Sequence, residues 1–224
     1  MKYEPVKEFT KTKLVIGEGV DEWAIFQAIL KHSQLDEDIA AEQFEGKSRI
    51  TDGIKGIAKR PGFKSITSLL VTRDADFLTD PQALPETVVD AAFQSVCHAL
   101  RAANLPVPSQ PFVIETGSYQ EADFRVGVCI FPGPNQIGML EDLCFAATND
   151  PATNCVDALW ACIAEKFPDG SRAHSREAFP KARIHAWLAT RPKPDQRLGE
   201  AALNGEIDFN HAAFDDFKRL LREL

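Results

Sequence analysis

Residues 13–30 read "KLVIGEGVDEWAIFQAIL", and this stretch sets the fold class. The run from Lys13 to Ile16 is short, apolar and partly β-branched, which suits a strand covered on both faces, and Gly17 closes it. From Asp21 onward apolar residues fall at 23, 25, 26, 29 and 30, the spacing of an amphipathic helix. A buried strand that passes directly into a helix is the opening half of a βαβ unit. Gly17 and Gly19 flank Glu18 and permit a tight turn that aims its carboxylate over the strand end.

The pattern repeats outward from this unit. "AEQFE" (41–45) reads as a second strand, residues 52–60 as a helix broken by glycines, and "ITSLLVTR" (66–73) as a third strand. A long helix is expected over "ETVVDAAFQSVCHALRAAN" (86–104), then strands over "PFVIET" (111–116) and "FRVGVCIFP" (124–132). Alternation of this kind predicts an α/β fold with a largely parallel central sheet flanked by helices. Beyond it "MLEDLCFAAT", "NCVDALWACIAEKF" and "EAFPKARIHAWLAT" read as helices, with Pro180 kinking or delimiting the last. "RPKPDQRLG" reads as a loop leading to a final helix, "HAAFDDFKRLLREL". The expected organisation is an α/β domain over 1–150 and a helical extension over 151–224 packed on it.

Composition narrows the possibilities. The chain has 224 residues, 44% of them hydrophobic, enough for a sizeable core. No apolar run approaches the roughly 20 residues that cross a bilayer, and "MKYEPVKEFTKTK" lacks the apolar core of a secretory signal, so a cytoplasmic location is expected. Cys97, Cys129, Cys144, Cys155 and Cys162 contain no CxxC pair and lie among apolar neighbours, which predicts buried reduced thiols. The histidines at 32, 98, 174, 185 and 211 are scattered and form no metal motif. A formal charge of −8 argues against a surface that grips nucleic acid everywhere. A local basic face remains available in "GIKGIAKRPGFK", where Lys55, Lys59, Arg60 and Lys64 cluster, and in Arg73; its ordinary alternative is a solvated helix face.

In open parallel sheets, chemistry gathers at the carboxyl ends of the strands. Three acidic features are expected there: Glu18, the pair Asp74 and Asp76 in "VTRDADFLTD", and Glu141 with Asp142 after the Pro/Gly-rich loop "FPGPNQIGM". Glu115 is a weaker fourth. An extended chain would put Asp74 and Asp76 on one face, roughly 7 Å apart, where they repel unless a cation lies between them. Converging carboxylates without histidine or cysteine suit a hard cation, Mg²⁺ or Mn²⁺. Each acid also has a structural alternative, as turn former, cap or first-turn residue. A dinucleotide site at "GEGVDE" is discounted, because Glu22 replaces the third glycine and Glu18 would face the pyrophosphate.

These residues resemble a family. "LVIGEGVDEWAIFQAIL" and "LLVTRDADF" are similar to the Glu-Gly and DxD motifs of Toprim domains, found in topoisomerases, bacterial primases, a ribosomal-RNA maturase and overcoming-lysogenization-defect nucleases. "GPNQIGMLEDLCF" and "KARIHAWLATRPKPDQRLGEAALNGEIDF" resemble a little-characterised bacterial family of Toprim-like proteins over nearly the whole chain. The resemblance implies a Toprim-like Rossmannoid fold and a metal-dependent nuclease acting on DNA or tRNA. It makes Glu18 a metal ligand or general acid/base, Asp74 and Asp76 metal ligands, Glu141 the helix-borne acid of the nuclease branches and Asp142 a helper; Asp21 would support structure. Gly17 departs from the apolar residue many members carry, and neither Tyr3 nor Tyr119 is placed as a topoisomerase nucleophile. Related nucleases work with ABC-type ATPases, some in phage defence; this chain has no Walker A sequence, so such a partner would be separate. Two other readings stand beside this one. In a haloacid-dehalogenase-like phosphatase Asp74 would be the nucleophile, although Leu78 stands where that pattern has Thr; the other is a non-catalytic module binding metal or nucleic acid.

Overall fold

The computed structural model describes residues 3–44, 46, 49–76, 84–171, 174–175 and 178–224. Its strands are β1 (Lys13–Gly17), β2 (Ile39–Gln43), β3 (Ser68–Asp74), β4 (Ile114–Tyr119) and β5 (Ala122–Phe131). Helices α1 (Val20–His32), α2 (Ile50–Ala58) and α3 (Pro85–Ala102) connect the first four, and α4 (Leu140–Ala146) follows β5. Then come α5 (Ala152–Lys166), α6 (Phe179–Leu188), α7 (Leu198–Leu203) and α8 (Asp215–Glu223), with 3₁₀ turns at Phe63–Ser65 and Ala212–Phe214. Glu45 and Glu177, at the ends of two expected elements, and the stretch 77–83 lie outside the described residues.

The strands form one sheet in the order β2-β1-β3-β5-β4. β2, β1, β3 and β5 are mutually parallel, with Val15 opposite Leu70 and Leu70 opposite Gly127; only β4 runs antiparallel. Leu14, Val15 and Ile16 are fully buried, as a central parallel strand requires. β4 begins later than the sequence pattern implies, because Phe112 adopts a left-handed φ of 63° that ends extension before it. It pairs with β5 through a two-residue turn at Gln120 and Glu121, φ 52° and 67°, the handedness that matches strand twist in a tight hairpin.

The C-terminal helices share the core of the sheet. Phe217 of α8 lies 5.3 Å, ring to ring, from both Phe26 of α1 and Phe131 of β5. α7 forms in a stretch where the sequence pattern gives only a loop and no helix. Asp21, at the start of α1, accepts hydrogen bonds from Arg197 (2.9 Å) and from the Gly199 amide (3.2 Å), so the two helix starts are clasped. Pro180 sits in the first turn of α6, where its missing N–H costs nothing, and so delimits the helix.

Two expectations are corrected. Cys97, Cys129 and Cys144 are buried, but Cys155 and Cys162 are exposed, because α5 buries only Val156 against the rest. The glycines of α2 do not break it: the helix is continuous over Ile50–Ala58, and Gly53 is there because Phe44 packs on it. Among the described residues, no helix is long and apolar enough to cross a membrane. A Cβ at Gly53 would lie 2.3 Å from the Phe44 Cβ and 2.8 Å from its carbonyl oxygen. Gly53→Ala is therefore expected to destabilise the protein by about 1–3 kcal/mol despite alanine's better helix propensity. Urea unfolding measures this directly; a variant as stable as the native chain would show that α2 is not held against Phe44.

Candidate functional site

The strand order diverges between β1 and β3. From β1 the chain passes through α1 to β2 on one side, then returns through α2 to β3 on the other. The connections leaving these two neighbours diverge, which opens a crevice beyond their carboxyl ends. β1 ends at Gly17 and β3 at Asp74, so Glu18 and Asp74 meet there. The cleft has a volume of about 440 Å³, and its charged lining is Glu18, Asp21, Glu22, Asp74, Glu141, Lys181 and Arg197.

Local structure decides which acids reach it. Asp74 Oδ1 accepts the Leu140 N–H at 2.9 Å, tying the end of β3 to the first residue of α4 and bringing Glu141 alongside. Asp142 is engaged elsewhere. Its Oδ2 accepts the Met139 N–H at 3.0 Å and caps α4, and it lines a neighbouring hollow instead. Gly138, at φ 134°, makes that cap possible, since a Cβ there would lie 2.6 Å from the same oxygen. Asp76 does not line the cleft. Its φ is 63° and its backbone exchanges two 3.0 Å hydrogen bonds with Gly138, so the extended geometry that would hold Asp74 and Asp76 on one face ends at Asp74. Glu115 accepts from the Ser109 amide at 3.1 Å on the antiparallel edge and is not part of the cleft lining.

Glu22 is the acid that sequence reasoning passed over. It lies in the first turn of α1, and the absence of a side chain at Gly17 lets that turn close on the strand end. A Cβ at Gly17 would come within 2.7 Å of the Phe26 ring and 2.9 Å of the Glu22 Cβ. Gly17 thus makes room for Glu22. Withdrawal from water, with the charges of Glu18, Glu141 and Asp21 nearby, pushes the Glu22 carboxyl up to about 7. Burial, then Glu22, Glu18 and Glu141, hold Asp74 well above the usual carboxylate range against the opposing Leu140 hydrogen bond. Burial also raises Glu141, partly offset by Lys181, whose Nζ stands 3.9 Å from Glu141 Oε1. Among the described residues, no three acidic, histidine or cysteine side chains already converge as a metal cage.

A family model described as "Protein of unknown function (DUF3226)" matches residues 12–224. The chain belongs to this family. No curated protein matches it. Among solved structures it is similar to the C-terminal region of the OLD protein of Xanthomonas campestris pv. campestris, with 14% identity over 96% of each chain and a TM-score of 0.42. A likeness at that level carries no information about chemistry.

The basic residues of this DUF3226 chain are divided. The Phe9 N–H donates to Pro61 and the Thr67 N–H to Thr12, which places residues 61–67 at the amino ends of the strands, away from the cleft. Lys59 and Lys64 are exposed and Lys55 is half-buried. Arg60 turns inward onto fully buried Glu42, and Arg73 donates to Ser95. The cations that do line the cleft, Lys181 and Arg197, come from the C-terminal helical region.

The raised carboxyls predict a sign. Between roughly pH 4.5 and 7 the folded chain holds a proton on Glu22 that the unfolded chain releases, so stability falls as pH rises through that window. In chelator the unfolding temperature is expected to be higher near pH 5 than near pH 8, and Glu22→Gln should remove much of the slope. Equal unfolding temperatures across that range would show that these acids are solvated.

Proposed function

We propose that the chain is a Toprim-like nuclease that hydrolyses phosphodiester bonds with a divalent metal ion, Mg²⁺ or Mn²⁺. The observation that carries this reading is the gathering of Glu18, Glu22, Asp74 and Glu141 in one cleft at the divergence of β1 and β3. All-oxygen donors with no histidine or cysteine fit a hard cation, and the raised carboxyls of Glu22, Asp74 and Glu141 mark a place that lacks positive charge. Glu18, Asp74 and Glu141 would hold the ion, with Glu22 supplying the carboxylate expected of Asp76. When bound, the ion would polarise the phosphodiester and lower the pKa of a water nucleophile.

The chain's own groups have separable parts in this reading. Asp74 is fixed by the Leu140 amide and keeps its place as charge changes around it. Glu22 lines the same cleft and completes its carboxylate set. Lys181 reaches the cleft from α6 and can hold a phosphate oxygen; Arg197 is anchored by Asp21 at the rim. The phosphatase alternative needs Asp76 beside Asp74 in the same cleft, and Asp76 does not line it.

The reading is tested by incubating the native chain with plasmid DNA, single-stranded DNA and total tRNA in Mg²⁺ or Mn²⁺, with Glu18→Gln and Asp74→Asn beside it. Cleavage by the native chain that falls at least about 100-fold in both variants, without loss of fold, is the expected result. Cleavage that persists in both variants would refute it. Cleavage only after addition of a separate ABC-type ATPase would make this chain the effector of a two-protein defence system.

A further inference from the structure

α5 is held firmly but turned with apolar residues outward. Arg183 of α6 donates to both carboxylate oxygens of Asp157 at 2.8 Å and lies 4.0 Å over the Phe145 ring, which fastens the two helices. Val156 is buried and Trp160 and Ile163 are half-buried, so the inward face of α5 is fixed. Left outside are Cys155, Ala158, Leu159 and Cys162, all exposed, Leu159 by 47%. From Cys155 they follow at three, four and seven residues, the spacing of one stripe along a helix. No charged residue falls within the stripe, and Glu165 and Lys166 stand just beyond its end. A helix face meant for water would carry charged or polar side chains there.

The stripe is complementary to itself. When α5 is laid antiparallel on a second copy, about a two-fold axis between Ala158 and Leu159, each Leu159 falls opposite the partner's Ala158 and each Cys155 opposite the partner's Cys162. A large side chain then meets a small one at the centre, which lets two helices approach closely. A parallel pair would instead set leucine on leucine and alanine on alanine, with the two helix dipoles aligned. The antiparallel pair opposes the dipoles and brings Glu165 to the amino end of the partner's α5, where an acid is favoured. Charge points the same way. Two copies of a chain with a formal charge of −8 repel each other, and an uncharged, self-matching stripe is where they can meet with least repulsion.

We infer that α5 is the contact through which two copies of this chain pair, antiparallel and with two-fold symmetry. The 15 residues of α5 extend about 22 Å, and one helix pair of that length buries less than the roughly 1,200 Å² of a stable complex. The dimer is therefore weak, with a Kd of about 10–100 µM. It does not depend on the nuclease reading. Sedimentation velocity from about 1 to 300 µM should show the native chain passing from monomer to dimer. Leu159→Lys, at an exposed position, should raise the Kd at least about 10-fold and leave the unfolding temperature unchanged. Thiol linking reads the orientation, because Cys97, Cys129 and Cys144 are buried and only Cys155 and Cys162 are exposed. With a short bismaleimide, Cys155→Ser and Cys162→Ser should each give little linked dimer alone, and an equal mixture of the two should give at least about 5-fold more. Adding Leu159→Lys to both should remove that gain. A native chain that stays monomeric throughout would overturn the inference and leave the stripe to a different protein. A dimer unaffected by Leu159→Lys would overturn it by placing the contact elsewhere, and single variants that link to themselves as well as the mixture does would overturn the antiparallel pairing.

Discussion

Glu18, Glu22, Asp74 and Glu141 line one cleft at the end of the sheet, where burial and mutual repulsion raise the carboxyls of Glu22, Asp74 and Glu141. Much of the architecture around the cleft serves to hold them there anyway. Gly17 gives up a side chain so that Glu22 can approach the strand end, and Asp74 spends one oxygen on the Leu140 amide, which brings Glu141 alongside. Asp142 and Gly138 fix the start of α4 on which that arrangement depends. A fold seeking stability alone would place apolar groups here. The retained repulsion is what the proposed cation would relieve.

The C-terminal helices belong to this arrangement. α8 is sealed to the sheet by the contacts of Phe217 with Phe26 and Phe131, and α7 is clasped to α1 by Asp21. Asp21 is therefore both a first-turn acid, favoured by the α1 dipole, and the anchor of Arg197 at the rim. Lys181 and Arg197 give an otherwise acidic cleft its only cationic lining among the described residues. Sequence alone gave this region no role, because neither residue sits in a motif and both lie far along the chain from the acids they face.

What was legible in the sequence was what local chemistry determines. β1 was readable to the residue, since four apolar-rich positions bounded by a glycine admit little else, and α1 and α3 followed from their apolar spacing. Glu18, Asp74 and Glu141 were legible as strand-end or helix-start acids. Asp76 was misjudged because its left-handed backbone depends on a pairing with Gly138, 62 residues away by their numbers, which no local pattern reveals. Glu22 was missed for the opposite reason: an acid beside Asp21 in a first helical turn looks like a solvated dipole partner, and only the closeness allowed by Gly17 withdraws it from water. Arg60 looked like part of a basic face until its buried partner Glu42, in another element, claimed it. α7 was hidden by the prolines that precede it.

The clasp between Asp21 and the start of α7 spans 176 to 178 residues of sequence. Contacts of such separation form late, because the loop between them must close first. During synthesis, a chain that has emerged only through α4 already carries Glu18, Glu22, Asp74 and Glu141, yet lacks the wall that Lys181 and Arg197 provide. The cleft is thus completed only once α6 and α7 have been made, well after the acids it gathers.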